Sequence, residues 1–319
     1  MKDFEDLYNE LINKNESGLS KLWEEIKTER TKRRTWMLVL IFIVDIVIIF
    51  VMSRKIHSVV NIEFCIRGVI LPIAFCDAII AIIVGIIFMR GKEARYNSIY
   101  KENILQELIK NFFDEVDYIP QKGMPANIYD EGKYNEYYNI YYSDDYVDAK
   151  LDNKYDMKMA EVHTVYETTH TDSEGNSYTE RTTKFHGLFV KIKMDKSIKN
   201  NLIIKQDKSI RKKEKLEMDS TEFEKLFDVS SEDNIIGMQI LTPDVMELLI
   251  DYRNYLKRPF DICIYQDTIY IRVHCGTMFE AKINSKTFVD KEKTEQYYNM
   301  LRFVYKLTKE VIKMSDGDF

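Results

Sequence analysis

Two long apolar segments near the start of the chain constrain its fold more than any other feature. Residues 36–52 read WMLVLIFIVDIVIIFVM, and residues 69–89 read VILPIAFCDAIIAIIVGIIFM. At about 1.5 Å rise per residue these helices would cover roughly 25 Å and 32 Å, close to a hydrocarbon thickness of about 30 Å. Neither has the polar stripe of a surface helix, and a soluble domain would have to surround both on every side. The sequence therefore predicts a transmembrane helical hairpin over residues 36–89.

The cations that flank these segments predict the orientation of the hairpin. Those before the first segment and after the second are Lys27, Arg30, Lys32, Arg33, Arg34, Arg90, Lys92, Arg95 and Lys101. Those in the connecting loop are Arg54, Lys55 and Arg67. Cytoplasmic loops carry the excess of Lys and Arg. We expect a protein of the cytoplasmic (inner) membrane with two spans, with both chain ends in the cytoplasm and the lipid bilayer as a partner; a reversed hairpin is the alternative.

Each apolar segment contains one acid, Asp45 or Asp77. Counted from the loop, the two lie at nearly the same depth of an antiparallel hairpin, so they could meet. Acids within a membrane are rare and often functional, so the pair could share a proton or line an ion path. They could equally be neutral carboxylic acids that hydrogen-bond across the hairpin or an oligomer interface. With no Lys, Arg or His in either segment, we favour the structural role.

Helical periodicity flanks the predicted hairpin on both sides. Residues 1–35 contain two short amphipathic stretches, separated by Asn15-Glu16-Ser17-Gly18. Residues 90–119 carry another apolar stripe, which predicts a helix running to Tyr118 and ending before Pro120. Because both arms leave the bilayer on the same side, we expect them to pack together as a stalk. A surface-lying role for the first arm is the alternative.

Residues 120–319 combine strand and helix patterns without regular alternation. The alternation over 157–169 and 177–194 predicts a long hairpin, and 260–265 with 268–274 predicts a second, with a possible third strand at 278–283. Thr242 followed by Pro243 predicts the start of a helix that runs to about Tyr255. A final helix is predicted over 291–314. This mixture predicts an α+β domain with an antiparallel sheet.

Signatures of catalysis and of nucleic-acid binding are absent from the sequence. Its net charge is −6, with 46 basic and 52 acidic residues, which argues against a nucleic-acid partner. The five His and four Cys follow no metal-ligand spacing, and there is no phosphate-binding glycine loop or GxSxG motif. We therefore predict no catalytic residue, no metal site and no cofactor, and an enzyme is the less favoured interpretation.

A stretch rich in Tyr and acids, residues 129–155, is the other candidate for function. Tyr137, Tyr138, Tyr141 and Tyr142 lie here beside several Asp residues. The acids lack the order of a calcium-binding EF-hand loop. Since Tyr combines contact area with a polar tip, these four side chains are a candidate interaction surface.

Several short motifs are spread over most of the chain. They are Tyr118-Ile119-Pro120, Tyr146-Val147-Asp148-Ala149-Lys150-Leu151, Ala160-Glu161-Val162, Phe185-His186-Gly187-Leu188-Phe189, Leu216-Glu217-Met218-Asp219-Ser220, Glu222-Phe223-Glu224-Lys225-Leu226-Phe227 and Leu241-Thr242-Pro243. In this order they resemble a bacterial membrane protein family known as domain of unknown function 3137. The resemblance implies a two-span N-terminal hairpin followed by an α+β cytoplasmic domain. It implies no activity, ligand or catalytic residue.

Together these features predict a membrane-anchored binding, scaffold or sensory module with an unknown protein partner or a second copy of itself. Two alternatives stay open. One is an oligomeric proton or ion path through Asp45 and Asp77, and the other is an enzyme without a recognisable motif.

Overall fold

The computed structural model describes residues 1–53, 90–134, 136–172, 174–206, 210, 214–283 and 286–316. The chain divides into two compact units. The first, here called the body, comprises Met1–Leu11, Lys101–Glu280 and Asp290–Phe319. The second, the helical unit, comprises Ile12–Tyr100 and Ala281–Val289.

The N-terminal arm forms two helices, α1 (Phe4–Asn15) and α2 (Leu19–Ser53). The break between them lies at the predicted Asn15–Gly18 stretch. Helix α2 continues without interruption through the first predicted span, 36–52, although most side chains of that span lie outside the described residues. The second predicted span, 69–89, lies wholly outside them. In the part of the chain that the structure covers, no helix is both long enough and apolar enough to cross a membrane.

In the helical unit, α2 contacts the helix over residues 90–100 (α3) through ion pairs. Arg30 Nη2 lies 2.7 Å from Glu93 Oε1, and Lys92 Nζ lies 2.5 Å from Glu29 Oε1. Ile26 and Tyr96 are buried. These ion pairs join α2 to α3 within the helical unit.

The prediction of a single helix over 90–119 is wrong in its second half. A π-helical turn, Lys101–Leu105, is followed by α4 (Gln106–Lys110), and the chain then forms strand β1 (Asp114–Ile119). Strand β1 pairs antiparallel with the next strand, with Tyr118 opposite Val147. The sequence of β1, DEVDYI, suits an exposed edge as well as a helix, so tertiary pairing decides between them.

The body is built on a six-stranded sheet in which every pairing is antiparallel. After β1 come β2 (Ile140–Leu151), β3 (Tyr155–Thr171) and β4 (Ser177–Lys205), each paired with its predecessor. The last two strands, β5 (Asp228–Ser231) and β6 (Phe260–Val273), both pair with β4. The α+β prediction and the first predicted hairpin are confirmed.

Strand β6 corrects the prediction of a second hairpin. Residues 260–273 form one strand, and Gln266, at the centre of the predicted turn, adopts a positive φ of 54° within it. The register on β4 shifts near this residue, so the turn-like residues form an irregularity in a continuous strand. The 29-residue β4 pairs with both halves of β6. Residues 278–283, predicted as a possible third strand, form none.

Five short or medium helices complete the body. They are α5 (Ala126–Asp130), α6 (Thr221–Leu226), α7 (Asn234–Ile240), α8 (Pro243–Leu256) and α9 (Lys291–Asp316). The hydroxyl of Thr242 accepts a hydrogen bond from the Val245 amide and caps α8 as predicted. Phe303 of α9 packs between Tyr252 of α8 and Phe260 of β6, with ring centroids 4.6 Å and 4.7 Å away. Helices α8 and α9 are therefore fixed against each other and against the sheet.

Candidate functional site

The four tyrosines of the predicted interaction surface do not form one surface. Tyr137 and Tyr142 are 74% and 60% exposed. Tyr138 and Tyr141 instead pack against the buried cluster around Phe185 and Phe189. The hydroxyl of Tyr141 donates to the Met124 carbonyl at 2.9 Å. Half of the predicted set is therefore partly buried against the core.

The predicted pair Asp45 and Asp77 lies outside the described side chains. The backbone of Asp45 belongs to α2, but its side chain is not described, and Asp77 lies between the described ranges. Their role stays a prediction.

A charged cluster in the body combines several features typical of functional sites, and is here called the Lys101 network. Its members are Lys101, Tyr118, Asp144, Asp145, Glu161, His186 and Glu280. Lys101 Nζ lies 2.8 Å from Asp145 Oδ2 and 2.6 Å from Glu280 Oε1. Lys101 opens a π-helical turn, and Asp145 has a φ of 54° at a bulge of β2. Both irregularities are frequent at functional positions.

Among the carboxylates of the network that form no ion pair with Lys or Arg, Glu161 is the most buried. It is 6% exposed, and its Oε2 accepts a hydrogen bond from the Met278 amide at 2.7 Å. His186 Nε2 lies 3.6 Å from its other oxygen. Burial raises the pKa of Glu161 to about 8, against the lowering effect of the Met278 amide. The side chain can therefore hold a proton near neutral pH.

Burial also raises the pKa of Asp145, to about 6, although Lys101 and Tyr118 act in the opposite direction. Burial alone would lower the pKa of Lys101, but its hydrogen bonds and charge interactions with Asp145 and Glu280 raise it. Lys101 is thus a permanent cation at neutral pH.

One carboxylate oxygen from each of Asp144, Asp145 and Glu161 lies within 4.8 Å of the others. This spacing could hold a hard cation such as Mg²⁺ or Ca²⁺. However, Asp145 already accepts from Lys101 and from the Tyr118 hydroxyl, and Glu161 accepts from a backbone amide. A cation would have to displace these donors, so the network is better suited to binding a proton than a metal.

A second charged group surrounds Arg272 of β6, which is 1% exposed. Its guanidinium lies 2.6 Å from Asp261 Oδ2 and 2.7 Å from Glu136 Oε2, and 3.8 Å from the centre of the Tyr134 ring. Burial would raise the pKa of Asp261, but His274 and Arg272 lower it overall. Because these contacts join the segment 129–136 to β6, we assign the group a structural role.

A cavity of about 890 Å³ lies between the N-terminal residues, α8 and α9, all within the body. It is here called the α8–α9 cavity. Its lining residues are Met1, Lys2, Asp3, Phe4, Leu248, Asp251, Tyr252, Asn254, Tyr255, Glu295, Tyr298, Asn299, Arg302 and Lys306. The N-terminal wall is held in place by hydrogen bonds from the Lys2 backbone to Asn111 and from the Tyr298 hydroxyl to the Lys2 carbonyl.

A match to a known protein family covers most of the residues that line this cavity. A family model described as "Protein of unknown function (DUF3137)" matches residues 183–313. This part of the chain is similar to that family. The DUF3137 region runs from β4 into α9, and it contains all the cavity-lining residues except the four at the N-terminus. The predicted resemblance is confirmed for residues 183–313, and the family description assigns no function.

No curated protein matches the chain. Among solved structures, a crystal structure of the mycobacterial trehalose monomycolate transport factor A, TtfA, aligns with a TM-score of 0.35 and 7% sequence identity. The alignment covers 66% of this chain and 96% of that one. We draw no conclusion about function from a likeness at this level.

Sequence reasoning missed both the Lys101 network and the α8–α9 cavity. One signal for the network was present, since Glu161 follows Met157 and Met159 at the two-residue period of a strand and so shares their face. An acid on an apolar strand face indicates a buried carboxylate. The cavity left no such signal, because its walls come from segments almost 250 residues apart in the chain.

Proposed function

We propose that this protein is a membrane-anchored ligand-binding module, in which the hairpin 36–89 inserts in the cytoplasmic membrane and the body binds a small molecule in the α8–α9 cavity. The observation that carries the proposal is the cavity itself. Its volume of about 890 Å³ falls within the range of roughly 300 to 1,000 Å³ that small-molecule sites occupy.

The walls of the cavity suit a small molecule. Four aromatic rings, those of Phe4, Tyr252, Tyr255 and Tyr298, line it together with a few charged and amide groups. Small-molecule sites combine an apolar or aromatic surface with a small number of polar groups that fix orientation. Two of these rings, Phe4 and Tyr298, contact each other with centroids 5.5 Å apart, so part of the wall is preformed.

The walls also belong to well-packed elements. Helix α8 begins at a capped Thr242, and its Tyr252 contacts Phe303 of α9. A site on such elements needs little ordering when a ligand enters, which lowers the entropic cost of binding.

Membrane anchoring rests on the sequence and on α2. Several large apolar side chains in the second half of α2 are exposed, including Trp36 at 70%, Leu38 at 65% and Phe42 at 65%. A run of exposed apolar side chains of this size marks an interaction or membrane surface. The flanking cations favour cytoplasmic chain ends.

The binding proposal is tested by filling the cavity. Leu248→Trp adds an indole at a half-buried lining position, and Glu247→Trp adds the same group at the adjacent exposed position, which does not line the cavity. Small molecules that co-purify with the full-length protein in detergent would be identified by native mass spectrometry. We expect a bound species in the wild type and in Glu247→Trp that is lost in Leu248→Trp. Equal occupancy in all three proteins would refute the cavity as the site.

Anchoring is tested separately by cell fractionation. We expect the full-length chain to stay in the membrane pellet after alkaline carbonate extraction and to be released by detergent. Recovery of the chain in the supernatant without detergent would refute the hairpin and would leave the cavity proposal untouched.

A further inference from the structure

We propose that the α8–α9 cavity binds a small molecule that carries a single carboxylate on a flat, largely apolar ring system. We propose also that Arg302 is the residue that binds this carboxylate. This inference rests on the proposed function and names the class of ligand.

Arg302 provides an unused donor at the cavity wall. Its Nε is buried, and no described residue accepts a hydrogen bond from it. A buried hydrogen-bond donor without an acceptor lowers the stability of the protein by about 1 to 3 kcal/mol. A donor that has no acceptor within the protein therefore usually has one from water or from a ligand. Since the side chain lines the cavity, a ligand in the cavity is the natural source of the acceptor.

Other polar groups of the same wall are already engaged. The Asn299 amide nitrogen donates to the Tyr255 hydroxyl at 2.5 Å and to the Glu295 carbonyl at 2.7 Å. The Tyr298 hydroxyl donates to the Lys2 carbonyl at 2.9 Å. These groups are therefore not free donors for a ligand.

The guanidinium favours a planar oxyanion. Its Nε and one terminal nitrogen form a fork that matches the two oxygens of a carboxylate, and such paired hydrogen bonds are stronger than those between neutral groups. Phosphate could also be held in this way, so the remaining charges of the cavity decide between the two.

Those charges nearly balance. The lining side-chain cations are Lys2, Arg302 and Lys306, the α-amino group of Met1 adds a fourth cation, and the lining acids are Asp3, Asp251 and Glu295. Among the described residues no acid forms an ion pair with Arg302, so none of the three lining acids lies within 4.0 Å of its guanidinium nitrogens. A doubly charged phosphate exceeds the single positive charge in excess, whereas a monoanion matches it.

The aromatic residues that line the cavity determine the shape and polarity of the rest of the ligand. The rings of Phe4, Tyr252, Tyr255 and Tyr298 offer aromatic faces and edges, which prefer flat apolar groups in stacked or edge-on contact. A planar ring system with one carboxylate fits both the walls and the unused donor.

The test uses two probes with the same flat ring system, naphthoate and its neutral counterpart naphthalenemethanol. Each probe is titrated into the full-length protein in detergent by isothermal calorimetry. We expect the wild type to bind naphthoate roughly tenfold or more tightly than the alcohol, which corresponds to about 1.4 kcal/mol. Arg302→Met should abolish this preference and leave binding of the alcohol unchanged. Arg302→Lys, which keeps the charge without the fork, should retain part of it.

Arg253→Met is the matched control, since Arg253 lies on α8 but does not line the cavity, and it should keep the full preference. Equal binding of both probes by the wild type, or a preference that survives Arg302→Met, would overturn the inference while the proposed function stands. Failure of both probes to bind the wild type would overturn the inference too, and the co-purification test with Leu248→Trp then decides whether the proposed function falls with it. Circular dichroism of each variant checks that the fold is retained. If Arg302→Met does not fold, the partial loss of the preference for naphthoate in Arg302→Lys tests the inference instead.

Discussion

Replacement of Glu161 by Gln should change how the stability of the protein depends on pH. Burial raises the pKa of Glu161 from its ordinary value of 4.5 to about 8 in the folded protein. The folded chain therefore binds this proton more tightly than the unfolded chain. The resulting stabilisation is fully present below about pH 4.5, declines as the pH rises, and is lost above about pH 8.

The magnitude follows from linkage. Each pKa unit between the folded and unfolded states corresponds to about 1.4 kcal/mol, so the whole effect is about 4 to 5 kcal/mol. Asp145, with a pKa raised to about 6, contributes with the same sign at lower pH. Between about pH 6.5 and pH 8 Glu161 dominates, and the free energy of unfolding of the wild type should fall there by about 2 kcal/mol. Burial lowers the pKa of the neighbouring His186, which acts weakly in the opposite direction in this range and does so equally in wild type and variant.

The variant Glu161→Gln cannot ionise, and its amide oxygen can still accept the hydrogen bond from the Met278 amide. Wild type and variant should have similar stability below about pH 4.5, where Glu161 is neutral in both states, and the variant should be more stable by about 4 to 5 kcal/mol above pH 8. Between pH 6.5 and pH 8 the difference between the two proteins should grow by about 2 kcal/mol. The assay is urea unfolding of the full-length protein in detergent at a series of pH values, followed by near-ultraviolet circular dichroism of the tyrosines.

Glu174→Gln is the control, because Glu174 is exposed in the turn between β3 and β4. Its stability should follow that of the wild type across the whole pH range. If the curves for Glu161→Gln and wild type ran parallel from pH 6.5 to pH 9, Glu161 would not be the proton-binding group, and our reading of the Lys101 network would be refuted.

Three further substitutions probe the body, each with the free energy of unfolding as the readout. Arg272→Met should destabilise the protein by about 3 to 5 kcal/mol, because it leaves the carboxylate of Asp261 buried without its main ion pair. Gly187→Ala should prevent the native packing of β4 or cost more than about 3 kcal/mol, since a Cβ at this position would lie 2.0 Å from the Val273 carbonyl oxygen. Thr242→Ala should cost about 1 kcal/mol through loss of the α8 cap.

Two controls accompany these variants. Gly91→Ala introduces the same methyl group in a helix where nothing lies within 4 Å, and it should stabilise the protein by about 0.5 to 1 kcal/mol. Arg253→Met removes an Arg that is only half-buried and should change stability by less than about 1 kcal/mol. Equal losses for Arg272→Met and Arg253→Met would contradict the assignment of Arg272 as the centre of a buried ion-pair group.

Local signals were sufficient to predict α8, α9 and the hairpin of β3 and β4. Thr242 and Pro243 start α8 through contacts within one turn, and the alternation in β3 sets which side chains face the core. These features depend on residues that are close in sequence, so local sequence patterns are sufficient to predict them.

Strand β6 and strand β1 show where local signals mislead. Gln266 and Asp267 are turn residues by composition, yet β4 is long enough to pair with both halves of β6, and pairing keeps the chain extended through the irregularity. Residues 114–119 continue a helical pattern in sequence, yet their backbone groups bond to β2. In both cases a partner strand that is remote in sequence outweighs the local preference.

The sequence by itself determined the mixed α+β class, the two apolar segments that predict a membrane hairpin, and the likeness of residues 183–313 to the DUF3137 family, because each depends on composition or on short-range order along the chain. Only the tertiary structure decided which charges are buried together and where a cavity lies. Lys101, Asp145, Glu161 and Glu280 come from distant parts of the chain. The raised pKa values of Asp145 and Glu161 arise from burial in the folded protein, which has no counterpart in the linear order of residues.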